Sequence, residues 1–174
     1  PLWFGGVSEA AKPVGAKHCD TYALFGESLG LVKSLMRELD GVANEHGRQL
    51  KYNLSFRPII AETEDAAWKK ARQILESVEK ASSPRSKAPE AETAKRLSSL
   101  IEDGEIHDER LWVPIAAAAQ GSGNSTALVG TPEQVAEAIA KYYDLGVAGV
   151  LIRGFDPFND AVEFGKELIP WIRD

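Results

Sequence analysis

The sequence is poor in the residues that cross-link a protein or bind a metal. It has one cysteine, Cys19, in 174 residues, which excludes an internal disulfide and fits a reducing compartment. Its three histidines, His18, His46 and His107, lie far apart, and no two have the spacing of metal ligands. Basic residues are the minority, 20 against 26 acidic, for a net charge of −6. That balance gives no electrostatic footprint for nucleic acid and no basic face for anionic lipid. No apolar run reaches membrane-spanning length, and the cytoplasm is the expected address. Catalytic signatures are missing too. "GSGNSTALVG" lacks the lysine and the preceding strand of a P-loop, and there is no dinucleotide fingerprint or nucleophile elbow.

What is present is an alternation of short apolar strands and amphipathic helices. Leu2-Trp3-Phe4 reads as a strand closed by Gly5-Gly6, with a short helix from Ser8 to about Lys17. Asp20 to Phe25 is a second strand. Glu27 to His46 follows as a helix, with Leu31, Leu35, Leu39 and Val42 on one face and Gly47 as its stop. Tyr52 to Ala61 is a third strand, and Thr63 caps a helix running to about Lys80. A Ser/Pro/charge-rich stretch, a modest helix near Thr93 to Glu102 and a long irregular Gly/Ser-rich segment come next. Thr131-Pro132-Glu133 is a well-formed helix start. A fourth strand, Val147 to Ile152, and a last helix, Phe158 to Ile172, end the chain. Strands alternating with helices imply a parallel sheet with helical crossovers, in a doubly wound sheet or a (β/α) barrel. In either, function sits at the carboxyl ends of the strands.

Two of those ends carry chemistry. In "FGGVS" the glycines permit a tight turn and Ser8 can cap the next helix, whose free N–H groups suit a phosphate. The same residues also make an ordinary tight turn with a serine cap. On the third strand, period-two alternation places Asn53, Ser55 and Arg57 on one face and Leu54, Phe56 and Pro58 on the other. An arginine aimed at a barrel mouth needs an anion or a dense set of acceptors, so it serves either a ligand or a carboxylate such as Glu27 or Asp156. The tryptophans Trp3, Trp68, Trp112 and Trp171 are mostly core candidates, and Trp112 could instead close over a ligand.

Five stretches taken in order, "LWFGGVSEAA", "AKHCDTYALFGES", "SFRPIIAETEDAAWKKA", "GNSTALVGTPEQVAEAI" and "GVLIRGFDPFNDAVEFGKELIP", resemble the luciferase-like flavin monooxygenases, in particular the alkanesulfonate branch. The resemblance spans the second half of that family's barrel. It implies an α/β fold over residues 1–174, about four βα units of a TIM-type (β/α)8 barrel, with an insertion or lid at 81–130 before the last strand. It also implies reduced FMN from a separate NAD(P)H-dependent flavin reductase, and oxygen chemistry on a small organic substrate. Gly6, Val7 and Ser8 match the turn that holds the FMN phosphate.

The resemblance departs at three points. The arginine–histidine pair of the alkanesulfonate enzymes falls at Ser55 and Arg57, the two catalytic candidates here. A lid arginine falls at Gly121, next to Gln120, and a tyrosine after the last strand is Phe155. These differences bear on the sulfonate substrate more than on the flavin chemistry. A non-catalytic flavin-binding or interaction protein and a deazaflavin reductase are the alternatives on the same scaffold. Four strands would leave two open edges and an uncovered inner face, so association with a second copy or with the other barrel half is expected.

Overall fold

The longest strand organises the molecule. Ten residues of extended chain, rich in aromatic and β-branched side chains, form β3 (Lys51–Ile60). On one edge it pairs in parallel with β2 (Thr21–Phe25), which in turn pairs with β1 (Trp3–Phe4). On the other edge β3 pairs in parallel with β7 (Gly149–Ile152). The computed structural model describes residues 1–81, 92–119 and 126–173. Within them, the four parallel strands β1-β2-β3-β7 and their helices form the expected curled half-barrel. The order of strands and helices follows the alternation in the sequence.

The helices cover the outer face. Helix α1 (Ala11–His18) follows β1, starting three residues later than the serine cap suggested. Helix α2 (Leu29–Glu45) buries Val32, Leu35, Met36, Leu39 and Ala43. Its apolar stripe is therefore rotated from the expected one, and Leu31 faces solvent. Helix α3 (Glu64–Ala81) begins after Thr63, whose Oγ1 accepts the Ala66 N–H as expected. Helix α6 (Pro132–Asp144) opens with a reciprocal cap between Thr131 and Gln134. The last helix is in three parts, α7 (Pro157–Glu163), a wide π-type turn (Phe164–Leu168) and α8 (Ile169–Arg173). The main core joins Tyr22, Leu24, Tyr52, Leu54 and Phe56 to α2, α6, Phe164 and Leu168.

The insertion is more ordered than its composition suggested. Helix α4 (Glu92–Glu102) leads into a hairpin of β4 (Ile106–His107) and β5 (Leu111–Trp112), then helix α5 (Pro114–Ala118) and strand β6 (Ala127–Gly130). Strand β6 lies parallel to residues 57–60 of β3, and β5 lies antiparallel to β6. Strands of two to four residues carry no readable alternation, which is why the segment looked irregular. Trp112 is core, edge-on to Trp68 at 6.0 Å, whereas Trp3 and Trp171 are 59% and 50% exposed. No helix among the described residues is long and apolar enough to cross a membrane.

Three carboxylates fasten the insertion to the barrel. Glu27, buried just after β2, pairs with Arg96 of α4 at 2.8 Å. Asp108 of the hairpin turn, at φ 47°, accepts the first N–H of α2 from Leu29 at 2.7 Å. Glu64 accepts from Arg110, from Gln134 at 2.9 Å and from Trp68 at 3.4 Å.

Two predictions follow from this packing. Gly26 lies against Phe56, and an added Cβ would come within 2.0 Å of its ring. Gly26→Ala should destabilise the protein by about 1–3 kcal/mol, read from the urea midpoint. The Arg110 bonds, then those from Gln134 and Trp68, hold the Glu64 carboxyl down to about 2, from an ordinary 4.5. Its contribution is therefore complete above pH about 4.5 and disappears as pH falls toward 2. Across that window Glu64→Gln should show a shallower loss of stability with acidification than wild type.

Candidate functional site

The site occupies the rim formed by the carboxyl ends of the parallel strands. At the β1 end, Gly6 has φ +153°, a value an L side chain rarely adopts, and an added Cβ would press on Ala11 at 3.1 Å. Val7, Ser8 and Glu9 donate no backbone hydrogen bond among the described residues. Ser8 begins the turn that leads into α1, with its carbonyl accepting from Ala11 and Lys12 at 2.9 and 3.0 Å and its Oγ accepting from Ala11 at 3.2 Å. The hydroxyl proton is left to donate outward. Glu9, next along this turn, is paired with Lys12, whose Nζ lies 2.7 Å from both Glu9 and Glu38.

The turn is fixed by a residue the spacing did not single out. Tyr22 Oη donates to the Gly6 carbonyl at 2.6 Å, and its ring meets Phe4 edge-on at 5.6 Å. Burial pushes the Tyr22 phenol up to about 12, so it remains a neutral donor. Gly15 lets α1 settle on this aromatic pair, since a Cβ there would lie 2.5 Å from both rings. A tyrosine in an apolar strand gives no sign of this from spacing alone.

Parallel register places Trp3 with Thr21, Ala23 with Asn53, and Phe25 and Leu151 with Ser55, all on the concave face. Ser55 is 9% exposed, between Phe25 at 40% and Leu151 at 51%. Arg57 follows two residues nearer the rim, as the alternation predicted. The Gly6–Ser8 turn is two strands away along the same rim, roughly 10 Å at the usual strand spacing.

Arg57 does not take either carboxylate proposed for it. Glu27 is engaged by Arg96, and Asp156 caps α7 by accepting from Asn159. The Arg57 guanidinium donates to the Gly154 carbonyl and stacks 4.9 Å from the Phe155 ring centre. Burial, then Arg153, lowers its pKa, while Asp160 opposes the shift. Phe155 packs against the small apolar cluster that contains Trp112 and walls a 460 Å³ groove with Ile74 and Val78 of α3. Of the candidate residues, Gly6, Val7 and Ser8 thus lie together at one end of the rim, and Ser55, Arg57 and Phe155 at the other. Gln120 and Gly121 lie outside the described residues. His18, His46 and His107 build no metal site, and the described residues contain no cluster that could hold a metal.

Consecutive parallel strands with helical crossovers define half of a TIM-type barrel, with the candidate polar groups gathered at the carboxyl ends of its strands. Residues 1–149 match the family model for luciferase-like monooxygenases, and the chain belongs to that family. Solved structures share the fold at low identity. A riboflavin lyase crystallised with modified FMN and riboflavin is 22% identical, with a TM-score of 0.71 over 99% of this chain and 42% of its own. DmoA from Hyphomicrobium sulfonivorans is 16% identical, with a TM-score of 0.71 over 98% of this chain and 41% of its own. An F420-dependent secondary alcohol dehydrogenase is 14% identical, with a TM-score of 0.58 over 100% of this chain and 49% of its own. The chain therefore spans less than half the length of these proteins.

Because Tyr22 ties down the Gly6–Ser8 turn through one hydrogen bond, Tyr22→Phe should lower stability by about 0.5–1.5 kcal/mol. In ¹H–¹⁵N spectra its shift changes should concentrate at residues 6–9; changes confined to the α1 packing face would count against this role.

Proposed function

We propose that the chain forms half of the catalytic barrel of an FMN-dependent monooxygenase, with residues 81–130 as its lid, acting on a small organic substrate with an anionic group. An alkanesulfonate is the specific candidate. The observation that carries this reading is the pairing, on one strand rim, of a turn with unused N–H donors and a stacked arginine two strands away. The residues present fit the cofactor's phosphate: Val7 and Ser8 offer backbone N–H groups, Ser8 a hydroxyl, and Gly6 the close approach. The first turn of α1 adds a favourable dipole.

Reduced flavin, when bound, supplies the electrons that activate dioxygen, and a separate cytoplasmic flavin reductase is its proposed source. The chain's own residues bind and orient. Arg57 holds an anionic group with a fixed cation and cannot act as a general base near neutral pH. Ser55, one step deeper, offers a hydroxyl beside the apolar faces of Phe25 and Leu151. Phe155 restricts where the guanidinium sits through a cation–π contact. The second barrel half, or a second copy, would cover the exposed concave face.

The test is a fluorescence titration of FMN into the purified protein, with a deazaflavin of the F420 type alongside. Saturable FMN quenching is expected, weakened at least tenfold in Ser8→Asp, whose carboxylate would repel the phosphate. Binding of the deazaflavin but not FMN would overturn the monooxygenase reading in favour of a reductase, and binding of neither would overturn the cofactor assignment.

A further inference from the structure

We infer that Asp160 is the positioning residue that sets the Arg57 guanidinium at the barrel mouth; the use of that cation for an anionic substrate group rests on the reading above. Asp160 lies in the first turn of α7, eight residues after the end of β7. One oxygen, Oδ2, accepts the Phe155 N–H at 2.6 Å and the Asp156 N–H at 2.9 Å. Its Cβ lies 2.4 Å from where a side chain at Gly154 would begin, so the glycine lets the turn close on the carboxylate.

The consequence is geometric. Asp160 ties down the peptide N–H groups on both sides of Phe155, its own and that of Asp156. Those two amides follow the carbonyl that receives Arg57, the one on Gly154. The same clamp fixes the Phe155 backbone, and with it the ring lying 4.9 Å from the guanidinium carbon. The Gly154 carbonyl and the Phe155 ring, which both touch the Arg57 head group, therefore belong to the segment Asp160 holds. The carboxylate also opposes the effect of burial and of Arg153 on the arginine.

Capping of α7 is a separate task, performed by Asp156, whose Oδ1 accepts the Asn159 N–H at 3.2 Å and whose Oδ2 accepts from the Asn159 side chain at 2.7 Å. This separation makes the inference testable. A merely structural aspartate at a helix start would act like Asp156, whereas a positioning one should move Arg57 alone.

The experiment follows the Arg57 Nε–Hε resonance in ¹⁵N-labelled protein, assigned by its loss in Arg57→Lys, with sulfate as the anion probe. In wild type the signal should be displaced by the Phe155 ring current and should titrate with sulfate. Asp160→Ala should abolish the ring-current displacement and weaken sulfate binding at Arg57 at least tenfold. Asp160→Asn, which keeps an acceptor oxygen without the charge, should be intermediate and covers the case in which the alanine variant fails to fold. Asp156→Ala should leave both readings at their wild-type values. The inference is overturned if Asp160→Ala and Asp160→Asn leave the Arg57 signal unmoved, or if Asp156→Ala moves it equally. Should wild type ignore sulfate while Asp160→Ala still removes the ring-current displacement, the positioning role stands and the anion-binding reading falls.

Discussion

The backbone of β3 must find partners for ten residues, and how it does so decides the rest of the structure. Its even-numbered groups face β7, with Tyr52 and Phe56 carbonyls accepting from Ala148 and Arg153. Its odd-numbered groups face β2 up to Ser55, whose carbonyl takes the Gly26 N–H. There β2 ends, but β3 continues, and Arg57 and Ala61 donate to Thr126 and Gly130 instead. Strand β6 thus takes over the edge that β2 leaves, since buried N–H and C=O groups left unpaired would be strongly destabilising. The insertion is therefore part of the sheet, and it builds up one wall of the mouth where Arg57 emerges.

The polar contacts that attach this wall are few and specific. The Glu27–Arg96 pair is largely buried, and such pairs add less net stability than their geometry suggests, because both charges lose water. Their contribution here is register: Glu27 meets α4, Asp108 meets the start of α2, and Glu64 gathers Arg110, Gln134 and Trp68 at one point. Asp108 and Glu109 adopt left-handed conformations unusual for their residue types, and at Asp108 the carboxylate is thereby brought to an α2 N–H that would otherwise lack a partner.

The concave face is the counterpart of this well-connected rim. Its exposed apolar groups Trp3, Phe25 and Leu151 come from β1, β2 and β7, and Phe25 and Leu151 flank Ser55 on β3. A face of this kind has the composition of a barrel interior. The riboflavin lyase and DmoA, of which this chain spans 42% and 41%, are more than twice its length.

Much of this could be read in the chain itself. Alternation in residues 52–58 assigned the inward and outward faces of the central strand, because the pleat has a period of two whatever surrounds it. The helix starts at Thr63 and Thr131 were legible because capping is local chemistry. The Gly6-Val7-Ser8 turn was legible for the same reason. Only the tertiary structure decided that Tyr22 holds this turn, that the Gly154 carbonyl rather than Asp156 or Glu27 accepts from Arg57, and that Ala127–Gly130 completes the edge of β3. Those partners are separated along the chain by 16, 97 and about 70 residues, and such contacts are set by packing, of which local pattern carries no record.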